Sequence, residues 1–418
     1  MATALGLGLN GLVIGARLLH LLLLNKLVAT RLGGAALVEL GEFRDFLNLA
    51  IALSFLSLGQ GIIAEIRGDG RPAVQRDTLR HVIALVLAVA ASAGVLHLVA
   101  VVAGVPFTLA IDGGGVTLAS SLVLSLALIG LGESCFYGLV GLGQRDVANA
   151  VLFFGTCVTA GMSLTATLHL TAVATAYALL IGQGLTAMAM LGALLYAAPV
   201  RGLIARRWRL RRARFRQLGS YVAIAGIGTV SSLGCVIAVR KILRASYPID
   251  AVAEWEATWR LSSLFLLVIS TTCTLFLLPK LSEAQDDAEL SRLVLRMVGL
   301  TALAGAIVIT PCFLLRGDIL TLAYDASYVD AAAGYGYQLA GDFFRVLAFV
   351  PAFALLVRRR VGGYALGEAV FTLCFVALVA TGTPFGKSSP GNAAYFVACA
   401  AYFAVLISTV GYLGRRFR

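Results

Sequence analysis

Charged side chains that interrupt long apolar runs are where this 418-residue sequence could do chemistry. The basic ones are Arg17, Lys26, Arg44, Arg240, Lys241, Arg260 and Arg345, and the acidic ones are Glu133, Glu256, Asp342 and Glu368. Charge is costly in hydrocarbon, so such residues face protein or water and mark pathways or internal pairs. Guanidinium and ammonium groups at similar depth suit an anionic head group, because arginine binds phosphate oxygens through parallel hydrogen bonds. Two readings stand for the cations: they line a polar cavity, or they snorkel to the membrane interface.

The carboxylates divide by spacing. Glu256 and Arg260 are four apart and Asp342 and Arg345 three apart, so each couple can pair along one helix face, structurally or in competition with a substrate phosphate. Glu133 and Glu368 have no partner at helical spacing and are candidates for proton coupling, although Glu368, near the start of its span, has a simpler route to water. Asp146, in GQRDVANA, is a candidate structural or gating residue. His20 reads as a hydrogen-bonded structural histidine, since no metal partners lie nearby.

Long apolar elements must position these groups. The chain is 60% hydrophobic and 13% charged, with a mean hydropathy of +0.92, and such a composition requires lipid as its solvent. Its 45 glycines suit close helix packing in a bilayer. At about twenty residues per span, helices are predicted near 9–32, 42–65, 81–104, 114–141, 148–169, 172–197, 218–241, 253–279, 293–315, 336–357, 361–383 and 392–413. The fold class is therefore an all-α membrane protein with about twelve transmembrane helices.

Charge sets the orientation. The stretch RGLIARRWRLRRARFR, 201–216, carries eight arginines, and the connectors after spans 2, 4, 6, 8 and 10 are basic, whereas those after spans 3, 5, 9 and 11 hold only Arg316 and Lys387. Lysine and arginine are retained on the cytoplasmic side, so both termini are predicted cytoplasmic. The net charge of +12 follows from this topology, and no nucleic-acid partner is indicated. Domains are predicted as a six-helix lobe over 1–200, a basic cytoplasmic connector over 201–217 and a second six-helix lobe over 218–418. A weak repeat supports equivalence of the lobes: NKLVATRLGGAALVELGEFRDFLNLA in the first resembles RKILRASYPIDAVAEWEATWRLSSLF in the second, which implies an axis along the membrane normal. The repeat also sets Lys26, Arg44, Lys241 and Arg260 at similar height in both lobes.

Several chemistries find no footing. All seven cysteines lie in apolar stretches without CxxC spacing, so neither a disulfide framework nor a zinc site is indicated. No GxxxxGK[ST] loop occurs, which removes an ATPase within these residues. No metal, cofactor or catalytic nucleophile is called for, and the N-terminus is expected to be a retained first span rather than a signal peptide.

An ordered set of segments carries a family resemblance: NKLVATRLGG with EFRDFLNLAIAL, GQRDVANA, AVRKILRASYPIDAVAEW, LLPKLSEAQ and YQLAGDFFRVLAFVPAFALLV. Together they resemble the polysaccharide flippases of the multidrug, oligosaccharidyl-lipid and polysaccharide exporter superfamily, and within it the branch serving enterobacterial common antigen. The resemblance implies two pseudo-twofold-related lobes around a central cavity, working by alternating access in the bacterial inner membrane. It implies translocation of undecaprenyl-pyrophosphate-linked oligosaccharide to the periplasmic leaflet for O-antigen-like or common-antigen-like glycan assembly, beside a polysaccharide polymerase and a chain-length regulator and with a proton or sodium ion as candidate coupling partner. Arg17, Lys26, Arg44 and Arg240 match basic positions of the family, Asp342 its QLxGD segment and Asp146 its GxRD turn. Span 8 departs, having WRLSSLF where an acidic residue is expected beyond the tryptophan, so Glu256 is the candidate substitute. The competing expectations are a multidrug or organic-cation antiporter of the same superfamily, with an acidic and aromatic cavity, and a noncatalytic scaffold for glycan assembly.

Overall fold

A computed structural model describes residues 2–55, 58–59, 62–63, 66, 72–103, 115–196, 212–282, 284–358, 360–382 and 390–416. No strand occurs among them, as expected where lipid cannot satisfy an open backbone. Twelve helices of twenty residues or more follow one another: α1 (Ala2–Leu27), α2 (Gly33–Ser54), α3 (Pro72–Val102), α4 (Gly115–Gly141), α5 (Arg145–His169), α6 (Ala172–Tyr196), α7 (Arg212–Ser246), α8 (Ile249–Ser282), α9 (Asp287–Leu314), α10 (Ala332–Val357), α11 (Val361–Ala380) and α12 (Pro390–Arg416). A two-turn helix, Arg316–Ala323, and a 3-10 turn, Ala326–Ala331, join α9 to α10. Among the described residues ten helical segments are long and apolar enough to cross a membrane, and the first, Gly8–Ser54, contains both α1 and α2. The protein is a multi-pass membrane protein.

The ends of the helices follow local rules. Gly143, with φ of 80°, closes α4 in the left-handed conformation that a side chain resists, and the Gln144 amide returns to the Leu139 carbonyl at 2.9 Å. This is the GxRD turn, and Asp146 lies exposed in the first turn of α5. At α9 the Asp286 side chain accepts from the Glu289 amide at 2.7 Å, while Glu289 accepts from the Gln285 amide, a reciprocal N-terminal cap.

One boundary differs from expectation. Span 2 was expected from residue 42, but helix resumes at Gly33, directly after a π-helical turn over Val28–Leu32. The φ of 86° at Gly33 lets the chain turn at a single residue, so no polar loop is needed. Glu42 and Asp45 are buried within α2. The arginine-rich connector largely lies outside the described residues; its end, from Arg212, is already helix α7.

The chain divides into two compact units, one of residues 1–32 and 39–229, the other of residues 33–38 and 230–418; we call them lobe 1 and lobe 2. Within lobe 1, α5 packs on α1 and α6, and α4 packs on α3 and α6. Within lobe 2, α10 packs on α8, α9 and α12, and α11 packs on α12. Three pairings recur in the same order in both lobes: α3–α4 with α9–α10, α4–α6 with α10–α12, and α5–α6 with α11–α12.

Helix α5 shows how lipid inverts a helix. Its buried face carries Asn149, Thr156, Thr159, Ser163 and Thr167, while Phe154, Val158 and Leu168 are exposed. The Thr156, Thr159 and Thr167 hydroxyls donate to carbonyls one turn back, each at 2.8 Å, which satisfies them without a partner helix. Small side chains then admit close approach. α4 approaches α6 closely at Gly132, where an added Cβ would run into the Cα and Cβ of Ala187. Gly132→Ala is expected to destabilise lobe 1 by about 1–3 kcal/mol through overpacking, whereas Gly161→Ala, with open space around it, should leave the protein as stable or slightly more so. Thermal unfolding of both variants in one detergent checks this.

Candidate functional site

Lobe 2 holds the densest set of predicted site residues. Arg240 of α7 is fully buried, as is Glu256 of α8, and Arg260 one turn further along α8 is nearly so. The Arg240 Nε donates to Glu256 Oε2 at 2.9 Å and its Nη2 to Oε1 at 3.3 Å, while the Arg260 Nε donates to Oε1 at 2.6 Å. One carboxylate therefore holds two guanidinium groups from two helices. The Arg240 guanidinium also lies 5.7 Å from the Trp255 ring centroid. The four-residue pair expected along α8 is present, but it is half of a three-residue knot that ties α8 to α7.

Asp342 does not pair with Arg345, contrary to the three-residue spacing. Its Oδ1 accepts from the Ser262 hydroxyl at 2.6 Å and from the Tyr395 hydroxyl at 3.0 Å, and Gln338 donates to Ser262 at 3.1 Å. Three helices, α8, α10 and α12, meet on this carboxyl. Arg345 turns instead towards α11 and α12, where it lies 4.5 Å from the Phe371 centroid and 4.6 Å from that of Tyr402, with Nη2 donating to Ser232 at 3.3 Å. Its principal electrostatic partner is Glu368. The packing explains the divergence: aromatic faces from α11 and α12 accommodate the flat guanidinium, and hydroxyls from α8 and α12 bind Asp342 Oδ1.

Glu368 is buried, so the route to water considered for it is closed in this state. Its Oε1 accepts from the Tyr402 hydroxyl at 2.8 Å and its backbone carbonyl from Ser231 at 3.2 Å. Sequence spacing missed Tyr395 and Tyr402 because their partners lie on other helices. A signal was nevertheless present, since the two tyrosines stand seven residues apart, on one face of α12.

Lobe 1 is arranged more openly. Arg17 is exposed and Glu133 half-buried, and Arg17 is Glu133's electrostatic neighbour. His20 is buried with its Nε2 2.8 Å from the Ser163 hydroxyl, the structural role read from sequence. The Arg44 Nη1 donates to Asn25 Oδ1 at 2.7 Å and ties α2 to α1. The sequence repeat sets Lys26 against Lys241 and hence Asn25 against Arg240, so this clasp and the Glu256 knot join the first two helices of each lobe at equivalent places. Lys26, half-buried, ends α1, and Lys241 is exposed on α7. Among the described residues no group of three or more His, Cys, Asp or Glu forms a candidate metal site.

The fold so described is that of transporters of the MOP superfamily. Similar solved structures include a multidrug resistance MATE family transporter in its inward-facing conformation, with a TM-score of 0.76 at 14% identity over 96% of this chain and 94% of that one. The outward-facing conformation of such a transporter gives 0.70, also at 14% identity, over 97% of this chain and 93% of that one. A MOP superfamily transporter from Pyrococcus furiosus, whose binding pocket is described as having reverse polarity, gives 0.67 at 14% identity over 99% of this chain and 93% of that one. More particularly, the sequence is similar to the Lipid III flippases of Escherichia coli K12 and Shigella flexneri, 27% identical to each over 161 residues. That match spans 38% of this chain and 39% of each relative, about two fifths of the curated proteins' length. No family model matches the chain. The resemblance drawn from the sequence is supported on both counts: a transporter fold over nearly the whole chain, and a lipid-linked oligosaccharide flippase as a sequence relative.

Removing the charge from Glu256 takes a fully buried carboxylate from between two buried guanidinium groups. Glu256→Gln is expected to lower stability by about 3–5 kcal/mol, read as a large drop in melting temperature in detergent. Asp146→Asn removes only a helix-end charge and should cost less than about 1 kcal/mol; equal stability of the two variants would contradict the structural role of the knot.

Proposed function

We propose that this protein is a flippase that carries undecaprenyl-pyrophosphate-linked oligosaccharide from the cytoplasmic to the periplasmic leaflet of the bacterial inner membrane by alternating access of its two lobes, with both termini cytoplasmic. The observation that carries this reading is the sign of the accessible charge. Deep in lobe 2's helices Glu256, Asp342 and Glu368 are buried and engaged, Glu256 by two arginines, Asp342 by two hydroxyls and Glu368 by a tyrosine, while the more accessible Asp250 and Glu254 lie in the first two turns of α8. Arg17 and Lys241 are exposed on α1 and α7. An anion is the complementary ligand.

In this reading Arg17, Lys26, Arg44 and Lys241 hold the pyrophosphate, and Arg240, Arg260 and Arg345 position the helices around it. The sugars follow the head group, and the polyprenyl tail stays in lipid, so no bond is made or broken. Glu133, Asp342 and Glu368 are the candidates for coupling to a proton or sodium ion, and Asp146 for gating. A polysaccharide polymerase and a chain-length regulator would consume the product on the far side. The alternative, a multidrug or organic-cation antiporter, draws on the fold shared with multidrug transporters, but it asks for accessible negative charge.

The test is transfer of labelled lipid-linked oligosaccharide between leaflets of proteoliposomes. We expect transfer that requires the protein and falls about tenfold or more in Arg17→Gln, the equivalent of one charge-assisted hydrogen bond. Efflux of an organic cation without any transfer of the oligosaccharide would establish the alternative instead.

A further inference from the structure

Six residues of α2, 33–38, belong to lobe 2, although the chain on both sides of them belongs to lobe 1. Their attachment is intimate. A Cβ on Gly34 would stand 2.8 Å from the Ala253 Cβ of α8 and 3.6 Å from the Tyr328 hydroxyl. Val38 is fully buried in the apolar cluster that contains Val239, Leu243, Val252 and Ala253. Immediately before this segment the backbone departs from α-helix twice, as a π-helical turn over Val28–Leu32 and as a left-handed residue at Gly33. Leu32, at the N-terminus of α2, provides no side-chain cap. Single π turns mark functional sites in helices, and a glycine with positive φ is the place where a backbone most easily changes direction.

We propose that residues 33–38 form a docking strap, seated on α8 of lobe 2 in this state and leaving that seat during the transport cycle, with Val28–Gly33 as its hinge. The proposal rests on the alternating-access reading above and names the segment that must move for it. A rigid connection would run as uninterrupted α-helix and carry its own cap. Here the chain has instead a two-part irregularity next to a small-residue contact, glycine against alanine, which separates without leaving a large cavity. The buried valine supplies the holding force and sets the docked state as the resting one.

The test places spin labels at Ala35→Cys and Ile249→Cys, both exposed positions, in a background where Cys157, Cys312 and Cys374 are replaced by serine. Double electron–electron resonance in nanodiscs, with and without undecaprenyl pyrophosphate, is expected to show a second, longer distance whose share changes on adding the lipid. A single short distance under both conditions overturns the strap. As a second arm, Gly34→Val, whose Cβ would stand 2.8 Å from the Ala253 Cβ, is expected to unseat the strap and raise the share of the longer distance with and without lipid, and an unchanged distribution also overturns it. The two readings fail separately. Two distances in a protein that transfers no oligosaccharide uphold the strap and remove the flippase; transfer with one fixed distance does the reverse.

Discussion

The structure depends on the compensation of charge inside helices whose solvent is lipid. Glu256 expresses this constraint most plainly, because its carboxylate is fully buried and is bound by Arg240 from α7 and Arg260 from its own helix. Each group alone would be prohibitive to bury; together they fix the angle and register of α7 against α8. In lobe 1 Arg44 on Asn25 holds α2 to α1, and Glu42 and Asp45 are buried on the same helix. In each lobe a charged side chain thus joins the first two helices.

Once these internal obligations are met, what remains accessible decides the ligand. Asp342 is bound through one oxygen by Ser262 and Tyr395, and Glu368 through one oxygen by Tyr402, so both carboxyls join helices within lobe 2. Arg17 retains an exposed guanidinium beside the half-buried Glu133.

The helices were legible in the sequence because lipid imposes length and hydropathy on them. The spans expected at 114–141 and 172–197 coincide with α4 and α6 to within a residue. The α1–α2 boundary was not, since a turn made by one left-handed glycine leaves no polar stretch to read. Spacing along a single helix foresaw the Glu256–Arg260 pair and failed for Asp342 and Arg345, because the side chains that bind those two come from α8, α11 and α12. Tyr395 and Tyr402 escaped notice for the same reason: their role is defined by a partner more than thirty residues away in sequence.

The central claim, that the accessible intramembrane charge makes this an anion-binding transporter, is tested most directly by binding to the purified protein in nanodiscs of neutral lipid. Affinities for undecaprenyl pyrophosphate and for a lipophilic organic cation would be compared over a range of salt concentrations. The account predicts that the pyrophosphate lipid binds, that its affinity declines with salt as charge pairing requires, and that the cation does not compete. Tighter binding of the cation, or displacement of the pyrophosphate lipid by it, would contradict the account.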